Sequence, residues 1–299
     1  MTTNPCRVIV TTPPYADFLD EVAAHPIVSG FRLNTVMPLK HGPAEALARL
    51  SGYGQPLWVD LKGRQLRVVG AAMPPYTEIF LSHEVEVDCP ADAFFRDGVE
   101  HGRIVAVDGN RIILEDGPRR MIGPGESVNI VDPSLKIQGT LTDTDKAYLA
   151  AMRDAGLKHV MLSFVESQDD IDEIQSYLPD AEVVAKIESQ KGLWLTKTAG
   201  ITNGRLMAAR GDLYVEVPQP HKIISALRNI VQADPNAIVA SRIMNSLAWQ
   251  PVPDAADISD VAFLLSLGYK TLMLGDAVCL KRDSVVEALN VLQAISDEF

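Results

Sequence analysis

Lys186-Ile187-Glu188 closes the β-branched run E-V-V-A-K-I-E with an ammonium and a carboxylate two residues apart. Alternation along a strand turns both side chains to one face. Further on, the apolar run in A-A-R-G-D-L-Y-V-E-V-P stops at Arg210-Gly211-Asp212 and then resumes as alternating apolar and acidic residues. Two carboxylates from neighbouring strands can hold one divalent cation through oxygen ligands, as Mg²⁺ or Mn²⁺ prefers. A cationic side chain beside such a metal is what an enolate oxygen or a transferring phosphoryl group needs. Gly211 permits close backbone approach, so its N–H and that of Asp212 can bind a small carboxylate at a helix start. Plainer readings stand beside these: Lys-Ile-Glu as a solvated strand end, Arg210-Gly-Asp212 as a turn or an adhesion loop, Arg32 as a surface cation, Ser241 as a helix cap.

The elements around these residues follow a strand-then-helix rhythm. R-V-I-V-T-T (Arg7 to Thr12), G-F-R-L-N-T-V (Gly30 to Val36) and P-L-W-V-D-L-K (Pro56 to Lys62) read as strands, with helical periods in A-D-F-L-D-E-V-A-A and P-A-E-A-L-A-R-L between them. From Val68 to Ile137 the rhythm breaks into short alternating runs and turn dipeptides. D-G-N at Asp108 to Asn110 sits between two such runs as a hairpin signal. The spacing predicts a small β domain at 68–137 inserted after strand three, between barrel segments 1–67 and 138–299. The rhythm resumes at T-D-T-D-K-A-Y-L-A-A-M-R-D-A-G, where Thr142 or Asp143 can cap the start and Gly156 the end. Five more strands follow: H-V-M-L-S-F, E-V-V-A-K-I-E, R-L-M-A-A-R, A-I-V-A-S-R and T-L-M-L-G-D. Eight strand–helix units in about 230 residues are the count of a closed (β/α)8 TIM barrel. No G-x-G-x-x-G or G-x-x-x-x-G-K-[ST] occurs, so neither nucleotide-binding signature supports an open doubly wound sheet.

In such a barrel the functional groups sit at the C-terminal strand ends. Those ends carry Arg32 and Asn34, Asp60 and Lys62, Lys186 and Glu188, Arg210 to Asp212, Ser241, and Asp276. Cations, carboxylates and a hydroxyl gathered at one mouth favour a site over unrelated surface residues. The six histidines are dispersed without H-x-H or H-E-x-x-H spacing, and His25, His83, His101, His159 and His221 read as structural or exposed. A net charge of -12 argues against nucleic acid and anionic membranes as main partners. The start M-T-T-N-P-C-R carries no signal-peptide pattern, and no apolar run nears the length of about 18 residues that a membrane span needs. Cys6, Cys89 and Cys279 are far apart with no C-x-x-C, which points to reduced thiols in a cytoplasmic protein and away from adhesion.

These motifs together resemble the pyruvate kinase family. R-V-I-V-T-T-P-P looks like its first strand, with Pro14 on the nucleotide side; F-R-L-N resembles Ala-Arg-Leu-Asn, with Arg32 at the phosphate. D-L-K-G-R-Q-L-R resembles Asp-Thr-Lys-Gly-Pro-Glu-Ile-Arg, which gives Asp60, Lys62 and Arg67. L-T-D-T-D-K and H-V-M-L-S-F-V-E-S resemble Leu-Thr-Glu-Lys-Asp and Ser-Phe-Val-Arg, and A-A-R-G-D-L-Y-V-E-V-P follows Ala-Arg-Gly-Asp-Leu-Gly-Val-Glu almost throughout. The resemblance implies phosphoryl transfer between phosphoenolpyruvate and a nucleoside diphosphate (ADP/ATP) through a metal-bound pyruvate enolate, a step of glycolysis, in a homo-oligomer. Lys186, Arg32 and Ser241 would be catalytic. Arg210, Gly211, Asp212 and Ser241 would hold substrate; Arg67, Asn34 and Pro14 would hold nucleotide. Glu188 and Asp212 would bind Mg²⁺ or Mn²⁺, with Asn34 and Asp60 on a monovalent K⁺.

The chain also departs from the family pattern. Val36-Met37 and Leu61 replace polar residues of the potassium site, and Gln65 replaces the glutamate linked to K⁺ dependence, so little dependence on K⁺ is expected. Leu274 replaces a serine before Gly275-Asp276-Ala277, and Glu126 stands where the lid has a nucleotide-binding lysine. The chain reads as a short form, a barrel plus a reduced lid without the C-terminal regulatory domain. A metal-dependent lyase or aldolase on a pyruvate enolate and a non-catalytic metabolite-binding homologue are the alternatives.

Overall fold

The computed structural model describes residues 6–74, 78–198 and 200–299. The first five residues, part of the start read above for a signal sequence, lie outside the described residues. Strands β1 (Arg7–Thr11), β2 (Val28–Asn34) and β3 (Leu57–Leu61) alternate with α1 (Leu19–Ala23) and α2 (Pro43–Ser51). The β insertion then contributes β4 (Ile79–Phe80), β5 (Val85–Glu86), β6 (Ala91–Phe95), β7 (Glu100–Asp108), β8 (Arg111–Asp116), β9 (Val128–Ile130) and β10 (Lys136–Ile137). After it come α3 (Asp143–Asp154), β11 (His159–Leu162), α4 (Gln168–Tyr177), β12 (Glu182–Ile187), α5 (Gln190–Thr198) and β13 (Gly204–Ala209). The chain continues through α6 (Arg210–Glu216), α7 (Lys222–Ala233), β14 (Ile238–Ala240), α8 (Ala255–Ser266), β15 (Thr271–Leu274), α9 (Asp276–Cys279) and α10 (Arg282–Ser296).

β1, β2, β3, β11, β12, β13, β14 and β15 pair in that order, all parallel, and β15 returns to β1 to close the eight-stranded barrel. The expected (β/α)8 barrel is therefore present. Its lumen is filled by one layer of large side chains, among them Ile9, Trp58, Met161, Val184, Met207, Ile238 and Met273. Three of these are methionines, whose unbranched side chains fit an irregular space. Gly30 makes room for the indole, because a Cβ there would lie 3.2 Å from the Trp58 ring. Strand alternation points residues two positions further on into the same lumen. Those residues are Thr11, Asp60, Ser163, Lys186 and Ala209, so the apolar plug gives way directly to a polar layer. The opposite strand faces pack beneath the helices in the main core, with Val8, Val10, Leu33, Val59 and Leu162 all buried.

The insertion forms a five-stranded antiparallel sheet in the order β4-β8-β7-β6-β9 plus a β5–β10 ribbon, around its own core of Phe95, Ile104, Ile112, Leu114 and Val128. The D-G-N signal is the β7–β8 hairpin, with Gly109 at φ 60°. The run after Arg210-Gly-Asp continues as helix α6, so Gly211 and Asp212 stand at a helix start as expected.

One carboxylate joins the two ends of the insertion. The N–H groups of Lys62 and Gly63, just past β3, donate to the buried Asp145 carboxylate at 2.9 and 3.2 Å. Asp145 also accepts the Thr142 N–H and hydroxyl at 3.0 and 2.8 Å as the N3 member of the α3 capping box. Gly63 needs to be glycine: its φ is 49°, and a Cβ would lie 2.8 Å from the Ser163 carbonyl oxygen. Gly63→Ala is expected to lower the unfolding free energy by about 1–3 kcal/mol through left-handed strain and this clash, read as a shift in the urea midpoint.

Candidate active site

Asp60 is the centre of the polar layer and is fully buried. Its carboxylate accepts from Arg32 Nε at 2.8 Å and from Arg32 Nη2, and lies 3.2 Å from Lys186 Nζ and 3.6 Å from Lys62 Nζ. Burial alone would raise the Asp60 carboxyl, but Lys186, Lys62 and Arg32 together hold it well below the usual carboxylate range. Lys186 Nζ also donates to Ser163 Oγ at 2.8 Å and pairs with Glu188 at 3.2 Å. Burial works against its charge, and Asp60 and Glu188 outweigh it, so Lys186 stays an ammonium. For Lys62 the balance reverses: burial, with Lys186, Arg32 and Arg67 nearby, brings its amine down to about 7 despite Asp60.

Glu188 and Asp212 stand at the ends of the paired strands β12 and β13. Glu188 accepts the Phe164 N–H at 2.9 Å, and burial with Asp212 nearby pushes its carboxyl up to about 7. Asp212 accepts from Gln65 Nε2 at 3.1 Å and Asn129 Nδ2 at 3.2 Å, and burial raises it as well. Among the described residues no three His, Cys, Asp or Glu side chains form a metal cage. The Glu188–Asp212 pair nevertheless fits a divalent cation that takes its remaining oxygens from a ligand. Both are hard oxygen donors, Glu188 buried and Asp212 half-buried, and a cation would relieve their mutual repulsion.

Arg32 reaches Thr11 Oγ1 at 3.0 Å and the Asp276 carboxylate at 3.3 Å, and Asn34 Nδ2 reaches the same carboxylate at 3.0 and 3.1 Å. Arg67 donates to the Gly125 carbonyl at 2.6 Å and to Gln65, while its buried Nε has no hydrogen-bond partner. Pro14 lines a cleft of about 450 Å³ with Tyr15, Pro38, Leu39 and Arg49, one barrel loop away from Asn34. Ser241 has φ 72°, and its hydroxyl would lie 3.4 Å from a Cβ on Gly211. Arg210, expected at the substrate, has its guanidinium on Asp260 at 2.7 and 2.8 Å and on the Ser241 carbonyl. There it fixes the start of α6 against the β14 loop.

A family model for the pyruvate kinase barrel domain matches residues 81–279. The chain belongs to the pyruvate kinase family. A pyruvate kinase of Methanocaldococcus jannaschii is 27% identical over 268 residues, covering 80% of this chain and 58% of that protein. One from Agrobacterium vitis is 31% identical over 235 residues, covering 75% and 46%. One from Borreliella burgdorferi is 26% identical over 219 residues, covering 71% and 46%. The chain thus spans about half the length of the curated relatives it matches.

Within this family member, the strand-end residues Arg32, Asn34, Asp60, Lys62, Lys186, Glu188 and Asp276 are linked by direct contacts in one mouth. Asn129 and Glu216 were not singled out by motif. Asn129 is a buried amide inside the apolar run V-N-I, and that lone polar residue is the signal that marks it. Glu216 is hydrogen-bonded to it, and both line a cavity of about 340 Å³ beside Phe164 and Trp194. Burial, with Asp212 nearby, pushes Glu216 up to about 8. An acid whose folded pKa is raised costs stability above its unfolded pKa, near 4.5 here, and costs nothing below it. Glu216→Gln should therefore stabilise the protein on the order of a few kcal/mol at pH 9, with the gain disappearing near pH 4, as read from denaturant midpoints at both pH values.

Proposed function

We propose that the protein transfers a phosphoryl group between phosphoenolpyruvate and a nucleoside diphosphate. The observation that carries this reading is Lys186, a buried ammonium pinned by Asp60, Ser163 and Glu188 beside the candidate metal carboxylates. A divalent cation on Glu188 and Asp212 would supply charge for the enolate and the moving phosphoryl group. Lys186 offsets phosphoryl charge from a position that needs no reorganisation. Arg32 and the unpartnered Nε of Arg67 offer further donors to phosphoryl oxygens. The N–H groups of Gly211 and Asp212, in the first turn of α6, receive the substrate carboxylate. Ser241, facing Gly211, brings a hydroxyl to the enolate carbon. Pro14 lines the cleft that would take the nucleotide, and Asn34 ends the strand that leads into its Pro38–His41 rim.

Potassium adds little in this reading. The Asp60 carboxylate is already matched by Arg32, Lys186 and Lys62, the Asn34 side-chain Oδ1 accepts the Val36 N–H, and the Thr35 hydroxyl donates to the Asp60 backbone carbonyl. The free thiols of Cys6, Cys89 and Cys279 accord with a reducing cytoplasm, and no helix among the described residues is long and apolar enough to cross a membrane. One observation favours a metal-dependent lyase on the same enolate instead. Glu126 in the insertion is paired with Arg120, which puts a carboxylate where nucleotide phosphates would want a cation.

Two measurements test these assignments. Glu188→Gln and Asp212→Asn should each abolish Mn²⁺ binding in calorimetry, because a hard cation loses one of two charged oxygen ligands; unchanged affinity in both would remove the metal site. Lys186→Met should keep Mn²⁺ and oxalate binding while slowing transfer from phosphoenolpyruvate to ADP by roughly 10²–10³. A wild type without that transfer, cleaving a 4-hydroxy-2-oxo acid at a rate Lys186→Met retains, would establish the lyase.

A further inference from the structure

Asp276 begins α9 directly after β15, and its carboxylate rests on the two donors that face the mouth from β2. Arg32 Nη1 lies 3.3 Å from both of its oxygens, and Asn34 Nδ2 lies 3.1 and 3.0 Å from them. On its other edge the same guanidinium is already matched by Asp60. Arg32 therefore stands between two carboxylates. Lys62 is the remaining amine near Asp276, and it leans on Asp60 at 3.6 Å. The Asp276 side chain is 42% exposed, against 8% for Arg32 and 0% for Asp60. The inner pair is locked, while the outer carboxylate has solvent to turn into. Gly275, just before it, has nothing within 4 Å of where a Cβ would stand.

We infer that Asp276 is a specificity-determining residue: it occupies, as a tethered carboxylate, the place beside Arg32 and Asn34 where an anionic group of a ligand would bind. An anion enters only by displacing it. Displacement leaves the ligand next to an unpaired carboxylate, and that repulsion is twice as large for a doubly charged group as for a singly charged one. The residue thus weakens dianion binding at Arg32 without closing the mouth to it, and a phosphoryl group there leans the more on Lys186. The inference rests on the proposed function only where it names a phosphoryl group as the anion.

The test is anion binding by calorimetry at low salt and pH 8, using inorganic phosphate and acetate, on wild type, Asp276→Asn, Asp276→Ala and Arg32→Lys/Asp276→Asn. Thermal melts confirm that each variant is folded. Asp276→Asn should bind phosphate roughly tenfold more tightly than wild type and acetate about threefold more tightly, as halving the ligand charge halves the repulsion. Asp276→Ala should follow it, and the Arg32→Lys change should remove most of the gain. Three outcomes would each overturn the inference. They are phosphate binding in both Asp276 variants that is absent or no tighter than in wild type, equal gains for the two anions, and a gain that survives Arg32→Lys. Phosphate binding needs no turnover, so the proposed function is judged separately. If no transfer from phosphoenolpyruvate is seen but the gain appears, that reading fails and this one stands; transfer without the gain gives the reverse.

Discussion

The site depends on one buried anion. Asp60 has no exposed surface, and three cations, Arg32, Lys62 and Lys186, converge on its two oxygens. Taking a lone carboxylate or a lone ammonium out of water costs several kcal/mol per ion, so none of the four would hold its charge there alone. Together Asp60, Arg32 and Lys186 form a network whose charges are fixed before any ligand arrives. Lys186 is kept protonated by it, and Arg32 is held on Asp60 through Nε and Nη2. Lys62, whose own carboxylate support is shared three ways, is the one cation whose amine falls towards neutrality.

The apolar layer below makes that network possible. Trp58, Met161, Val184 and Met207 exclude water from the lumen, and the residue two positions along each of their strands is Asp60, Ser163, Lys186 or Ala209. The same alternation that fills the barrel thus sets the height at which polar groups appear. A shift of one residue in any strand would exchange its lumen and outer faces, so register here fixes both packing and site geometry.

Much of this was legible in the sequence. The eight β-branched runs, the D-G-N hairpin, and the carboxylates and cations at strand ends all announce themselves through local chemistry, and the barrel brings the strand ends together. What escaped depends on contacts between segments distant in sequence. Arg210 reads as a site cation until the fold brings Asp260 to it across 50 residues. Asn129 and Gln65 hold Asp212 across 83 and 147 residues, and neither spacing leaves a local pattern. The competition of Asp276 for Arg32, across 244 residues, is likewise invisible before the barrel closes.

The Asp145 clasp has a consequence for how such a chain can diversify. It stitches the backbone leaving β3 to the first turn of α3, 83 residues downstream, so the barrel carries its own suture across the insertion. With both ends pinned by one carboxylate, the intervening chain is an appendage whose length the barrel scarcely feels. Doubling a closed loop costs only about 0.6 kcal/mol in closure entropy. Such a graft point lets an enzyme shorten, lengthen or restyle the cover over its mouth while the strand ends beneath keep their positions.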